Sequence, residues 1–318
     1  MEIYSTNNLI EVVKKTNPVR PFLYDHYMPT GPRDIFKTKK VFIERTDSGN
    51  NAAPFVIPYS GAVLMERLGY TAEELNPAFV NPSMDMSIDQ AMKKGLGETL
   101  YDEVTPEERE QNYLADDLVE LQKSVMRSIE WMIGQIIVYG YVDCVIGDSN
   151  SNEKVRFKYY DSSFSNKMTI LDSSSNTEYW DSQGADVYAH VSKLAGDIPG
   201  EYGALDLVLG VQAADAFLAN NDIRDRLNIL NANFGALNPG ETIPDGVGYL
   251  GTMNFAGKNL NIYVYTERVT IGGSQVYYFH DRYAAVLPRS NFGATKFGSI
   301  TQMEEEDRQL HTRTGIMV

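Results

Sequence analysis

The side chains best suited to metal binding or nucleophilic attack are few in this 318-residue chain: four histidines and a single cysteine. His26, His190, His280 and His311 lie far apart in sequence. None stands in a His-Glu-x-x-His arrangement, the spacing that sets two imidazoles on one helix face around zinc. Cys144 alone can form neither a thiolate cluster nor an internal disulfide, and it suits synthesis in a reducing compartment. One adjacent pair, His280-Asp281, could serve a metal-dependent hydrolase. It lacks further ligands at a recognisable spacing and follows the aromatic run Val276-Tyr277-Tyr278-Phe279, so a turn after a strand is its expected role.

Other motifs reduce to structure in the same way. There is no Gly-x-Ser-x-Gly elbow, and Gly272-Gly273-Ser274 reads as a loop. Gly257-Lys258 lacks the earlier glycine of a phosphate-binding loop and reads as a hairpin turn. Asp116-Asp117 and Glu304-Glu305-Glu306-Asp307 are carboxylate-rich without forming an acid/base pair; the second reads as a solvated face, or as a contact for basic patches on a neighbouring subunit. Trp131 and Trp180 are expected to anchor a core or an interface. No catalytic residue, metal ligand or cofactor site is therefore expected.

Composition narrows the class further. A hydrophobic fraction of 43% with 22% charged residues is that of an ordinary globular protein. The longest apolar run, Trp131 to Tyr141, is interrupted by Gly134, Gln135 and Gly140 and falls short of the roughly 20 residues that span a bilayer. The first residues, Met1-Glu2-Ile3-Tyr4, do not read as a secretory signal. A net charge of −15 argues against general binding to nucleic-acid phosphates.

The elements that must carry any function follow from periodicity. Asn7–Lys15 reads as a short helical start, and Pro18, Pro21, Pro29 and Pro32 then predict an extended arm with no helix. Val41-Phe42-Ile43-Glu44 and Pro54-Phe55-Val56-Ile57-Pro58 read as two strands of a long hairpin across Asp47-Ser48-Gly49-Asn50-Asn51; Gly61 to Ser83 has mixed periodicity. Thr105-Pro106-Glu107-Glu108 is a capping box with proline at the first helical position. From it Leu114, Leu118, Leu121, Val125, Ile129 and Met132 recur at the 3.6-residue period of a straight helix, to about Tyr139. Glu110, Asp117, Glu120, Lys123, Arg127 and Glu130 fall largely on the opposite side. So long a helix needs a broad surface, and a sheet is expected under Leu118 and Val125. Its strands would be Val155-Arg156-Phe157-Lys158-Tyr159, Val276–Phe279 and Ala284–Leu287. Between them a separate mixed unit is predicted: a helix near Ala185–Leu194, a buried strand Leu205–Leu209, a helix Ala213–Asn220, and a hairpin from Gly251–Phe255 into Leu260–Tyr265. Ser173–Asn176 and Thr270–Ser274 are the expected crossing points.

This order of parts resembles the Hong Kong 97-type phage capsid fold, an α+β architecture. Local stretches are similar to the bacteriophage lambda capsid protein E family: Lys39–Ile43, Val56–Gly61, Pro77–Pro82, Glu178–Asp181, the Phe255-Ala256-Gly257 hairpin with Tyr263-Val264-Tyr265, and Phe292–Gly298. The resemblance implies an N-terminal arm over 1–37, an E-loop extension over 38–90, and a P domain over 91–184 with its spine helix at about 105–139. An inserted A domain over 185–270 and a return over 271–318 complete it. It further implies a major capsid protein that self-assembles into pentamers and hexamers, closing an icosahedral head around double-stranded DNA without sequence-specific binding. The location implied is the virion, with assembly in the host cytoplasm and no membrane. Separate scaffolding, portal and decoration proteins are the partners implied. Val41, Ile43, Phe55, Ile57 and Tyr59 are the expected inter-subunit residues of the extension. An encapsulin-like compartment sharing the fold, and the His280 hydrolase, are the alternatives.

Overall fold

The computed structural model describes residues 21–38, 40–46, 69–75, 77–78, 80–84, 105–145, 154–159, 180–182, 185–198, 204–229, 247–289, 293–303 and 310–317. Helix and strand are mixed along the chain, as an α+β reading requires. The chain divides into two compact units, Met1–Pro29 with Val80–Thr295, and Thr30–Phe79 with Lys296–Val318.

In the larger unit, helix α1 (Phe22–Tyr27) corrects the expectation of an extended, helix-free arm. Proline is excluded from a helix interior but not from its first boundary, and Pro21 sits at the N-cap. The seven residues between Pro21 and Pro29 leave room for about two turns. Helix α2 (Pro106–Tyr139) runs 34 residues, about 50 Å at 1.5 Å per residue. Its start is the expected capping box: Thr105 Oγ1 accepts from the Glu108 amide at 3.3 Å, and the Thr105 amide donates to Glu108 Oε2 at 3.0 Å. Gly140 ends it in the left-handed region at φ 74°, its amide donating to the Ile136 carbonyl at 2.8 Å, and the chain passes directly into strand β3 (Tyr141–Val145). Strand β4 (Lys154–Lys158) pairs antiparallel with β3, with Cys144 opposite Val155.

The centre of this unit is a four-stranded sheet of β5 (Leu205–Leu209), β6 (Val247–Phe255), β7 (Lys258–Tyr265) and β10 (Ala284–Pro288) in the order β10-β5-β7-β6. Strand β5 is parallel to β7 and antiparallel to β10. Ala284–Pro288 thus joins the sheet of Leu205–Leu209, not a sheet under the long helix, because its apolar residues are needed as the outer partner of β5. Thr270–Ser274 likewise forms a turn, joining β8 (Arg268–Ile271) to β9 (Ser274–Tyr277), with Gly272 and Gly273 supplying φ of 57° and 81°. The β6–β7 turn places Ala256 and Gly257 at φ 50° and 83°, the two-residue turn that fits a right-twisted hairpin.

Helices α3 (Val187–Asp197), α4 (Val211–Ala219) and α5 (Asn221–Ile229) cover one face of the sheet. Strand periodicity sends Leu205, Leu207, Leu209, Leu260 and Ile262 into that layer, where they meet Val187, Val191, Phe217 and Ile223. The alternate residues Asp206, Asn261, Tyr263 and Tyr265 point to the other face, which receives α1. Lys258 closes the helical layer, its Nζ donating to the carbonyls of Ala195 and Ile198 at the end of α3, at 2.6 and 2.5 Å.

In the smaller unit, β1 (Val41–Thr46) pairs antiparallel with β2 (Tyr70–Leu75), and β11 (Lys296–Met303) with β12 (Leu310–Met317). The partner of β1 therefore lies in the stretch of mixed periodicity; the strand read at Pro54–Pro58 is outside the described residues. The segment at Ile35 bridges Phe297 in parallel, with reciprocal bonds from the Phe36 and Phe297 amides at 2.8 Å.

Candidate assembly site

The residues expected to act between subunits are placed unevenly. Val41 is fully buried in the smaller unit and Ile43 lies on β1 opposite Glu73. Phe55, Ile57 and Tyr59 are outside the described residues, as are Asn7–Lys15 and Glu304–Asp307. On α2, Ile129 and Met132 are buried, at 1% and 2% exposure, whereas Leu114, Leu118, Leu121 and Val125 are only half-buried. Leu118 and Val125, expected to face a sheet, are thus covered only in part. The buried part of the helix is its last third, with Ile129, Ile133 and Ile136, and the helix meets α1 and β3. An unbroken apolar stripe in sequence does not reveal where along a helix its partner ends.

Glu130 is the second correction. Helical phase sets it beside the polar residues, yet it is 1% exposed. Its Oε1 accepts from the Leu23 amide and the Tyr265 hydroxyl, both at 2.7 Å, and its Oε2 accepts from the Tyr24 amide at 3.0 Å. Pro21 offers no side-chain cap to α1, so a carboxylate 107 residues away supplies it. Burial pushes the Glu130 carboxyl up to about 7, against the pull of these three donors. Tyr265, buried beside that carboxylate, is raised far above an ordinary phenol.

A second buried carboxylate holds the other end of α1. Asp206 has a fully buried side chain and meets His26 Nε2 at 3.1 Å, the Tyr27 hydroxyl at 3.3 Å, Asn261 Nδ2 at 3.0 Å and Arg289 Nε at 3.5 Å. Burial alone would raise it, but the hydrogen bonds from His26 and Asn261 and the charge of Arg289 bring it below the ordinary carboxylate value. The Thr295 hydroxyl donates to the Met28 carbonyl at 2.8 Å, fixing the segment where it leaves the unit. The sequence does carry a signal for Asp206: a charge inside Leu-Asp-Leu-Val-Leu must be paired to be buried. Glu130 carries a weaker one, adjoining Ile129 at the edge of the stripe.

The chemistry-bearing residues are dispersed. His280 meets Asp281 at 3.0 Å beneath the rings of Tyr283 and Tyr139, in a turn closed by the Tyr283 amide on the His280 carbonyl at 3.2 Å. His190 lies on α3 and His311 on β12. Cys144 is half-buried, its thiol pushed up chiefly by burial. Trp180 packs against the helical core beside Phe217, and Trp131 is half-buried on α2. Among the described residues no three His, Cys, Asp or Glu side chains gather as a metal would require, and no helix is long and apolar enough to cross a membrane. The geometry serves to hold segments together.

Comparison with known proteins agrees with that character. A sequence profile described as phage major capsid protein E matches residues 5–311. No curated protein matches significantly. Among solved structures, one assigned to a prophage capsid protein of E. coli CFT073 aligns with a TM-score of 0.57 at 12% identity, covering 98% of this chain and 94% of that one. At such low identity the alignment speaks to the fold alone.

Proposed function

This chain belongs to the phage major capsid protein E family, and from that membership we propose that it self-assembles into pentamers and hexamers that close an icosahedral head around double-stranded DNA. The observation that carries the reading is the family match along nearly the whole chain, 5–311. A capsid role requires surfaces completed by other copies, and two features suit it. The half-buried stripe Leu114, Leu118, Leu121 and Val125 would gain cover from a neighbouring subunit. The β1–β2 hairpin would carry the extension of about 38–90, with Ile43, Phe55, Ile57 and Tyr59, across an adjacent subunit, since a lone two-stranded hairpin is marginal in water, while Val41 is buried within its own unit.

In this proposal the parts divide as in the Hong Kong 97-type fold. The four-stranded unit, including Ala284–Pro288, forms the A domain around the capsomer axis, and α2 is the spine helix of the P domain. The acidic balance of −15 suits a container that does not grip its DNA by the phosphates. Scaffolding, portal and decoration proteins would be separate chains, and assembly would take place in the host cytoplasm. Electron microscopy and sedimentation of the purified full chain test the proposal. Closed shells or capsomers of five and six copies are expected; a monodisperse monomer at micromolar concentration under assembly conditions overturns it. Shells filled with a co-purifying protein cargo would point instead to a compartment.

A further inference from the structure

The half-buried stripe of α2 is bordered by charge of one sign. At about 100° per residue, Leu114, Leu118, Leu121 and Val125 share one side of the helix. Glu107 lies in line with them, and Glu110 and Asp117 border them within about 70° of the stripe's centre. The basic residues of α2, Arg109, Lys123 and Arg127, fall on the far side, where Arg127 Nη1 meets Glu120 Oε1 at 2.6 Å. The stripe is thus an apolar strip edged by carboxylates, with no basic residue of α2 beside it.

The smaller unit presents the opposite chemistry. In a chain of 43 Asp and Glu against 28 Lys and Arg, the eight residues Arg33-Asp34-Ile35-Phe36-Lys37-Thr38-Lys39-Lys40 carry four basic side chains and one acid. That acid is already engaged: Asp34 accepts from the Gly31 amide at 2.9 Å and lies 3.9 Å from Lys296 Nζ. Ile35 is 56% exposed, and Arg33 and Lys37 are exposed on either side of it. The backbone beneath them is fixed to β11. The Phe36 and Phe297 amides donate to the Phe297 and Asp34 carbonyls at 2.8 Å, and the Ser299 amide donates to the Thr38 carbonyl at 3.1 Å. An exposed isoleucine between two cations therefore sits on a held edge.

We propose that Arg33, Ile35 and Lys37 of one copy dock on the α2 stripe of a second copy, Ile35 covering the apolar strip about Leu114 while the two cations meet Glu107 and Asp117. The dimensions agree. Ten residues of helix set Glu107 and Asp117 about 15 Å apart, and the four-residue step from Arg33 to Lys37 spans at most about 14 Å. Opposite charges steer such an encounter and turn away a like-charged approach. Edge and stripe are different surfaces of the same chain, so the contact is head-to-tail and can propagate around a ring. It rests on the assembly reading above and names the two surfaces that meet.

Charge reversal in the full chain tests this, read by sedimentation velocity and electron microscopy. Arg33→Glu with Lys37→Glu reverses the edge, and Glu107→Lys with Asp117→Lys reverses the stripe; circular dichroism checks that each variant is folded. Either variant alone should need at least about tenfold more protein than the wild type to form oligomers. Mixing the two should restore oligomers containing both chains, because each then meets the opposite charge in the other. All four substitutions in one chain should restore them too. The contact is overturned if either variant assembles as the wild type does, or if the mixture stays as dissociated as its parts. Recovery only with all four in one chain also overturns it, since edge and stripe would then meet within a copy. A wild type that stays monomeric overturns the assembly reading itself, and the contact with it. Should the doubly substituted helix fail to fold, Asp117→Lys against Lys37→Glu runs the same exchange.

Discussion

Gly134 of the long helix lies so close to Tyr278 that a β-carbon on the glycine would overlap the tyrosine's carbonyl oxygen and come within 2.9 Å of its carbonyl carbon. The obstacle is backbone, which cannot swing aside as a side chain can. Gly210 meets the same stretch, its β-carbon position 2.5 Å from the Asp281 carbonyl oxygen. The chain from Tyr278 to Asp281 is thus closely approached by both α2 and the β5–α4 corner.

Gly134→Ala is therefore expected to destabilise the protein by about 3 kcal/mol, despite alanine's better helix propensity. Gly196→Ala, in α3 with nothing within 4 Å of its β-carbon, should instead stabilise by up to about 1 kcal/mol. Chemical denaturation of the two variants side by side checks the contrast; equal effects would place the helix wrongly against Tyr278.

Asp206 sets a pH limit from the acid side. Its folded carboxyl lies below the ordinary value, so its contribution is present above about 4 and is lost as pH falls through the folded value. Asp206→Asn should remove most of that acid-side loss and lower stability at pH 7 by about 3 kcal/mol, since His26 and Arg289 lose their charged partner. Thermal melts from pH 3 to 7 on both proteins measure it.

Along α2 the burial gradient separates folding from association. Ile133→Asp places a charge where exposure is zero and should prevent folding, at a cost of more than about 4 kcal/mol. Leu118→Asp, at a half-buried site, should cost about 1 kcal/mol, leave circular dichroism intact and sharply reduce particle yield. Normal shells from Leu118→Asp would remove the half-buried stripe from the assembly surfaces.

The register Thr46↔Tyr70 offers a clean excision of the extension. Those residues face each other across β1 and β2, so replacing 47–69 with Asn-Gly closes the hairpin with a two-residue turn. The shortened chain is expected to melt cooperatively with unchanged helix content and to form no closed shells. Shells on the electron microscope grid would remove residues 47–69 from the inter-subunit contacts.

Much of the fold could be read from the sequence because its signals are local. Thr105-Pro106-Glu107-Glu108 and Gly140 bound the long helix, and Leu205–Leu209 announces a strand buried on both faces. The turn at Ala256-Gly257 needs no context either. What stayed hidden depends on partners distant in sequence. The helix after Pro21 forms because Glu130, 107 positions on, completes its cap. Glu130 itself looks solvent-facing until Leu23, Tyr24 and Tyr265 are seen to surround it. Strand β10 is indistinguishable by pattern from a strand under the long helix, and only its register with Leu205–Leu209 assigns it.

The bond from Thr295 to Met28 spans 267 positions, which matters to a chain made from one end. At about 5–20 residues per second, translation leaves tens of seconds between the emergence of Met28 and that of Thr295. Asp206 and Tyr265, which also hold helix α1, appear only in the later part of that interval. Leu23 can meet α2 earlier, but Phe22, Tyr27 and Met28 lack part of their cover until then and stay open to capture by chaperones or by neighbouring nascent chains. Exchange of this segment between subunits made on one polysome is a hazard built into its seat, and slow synthesis lengthens it.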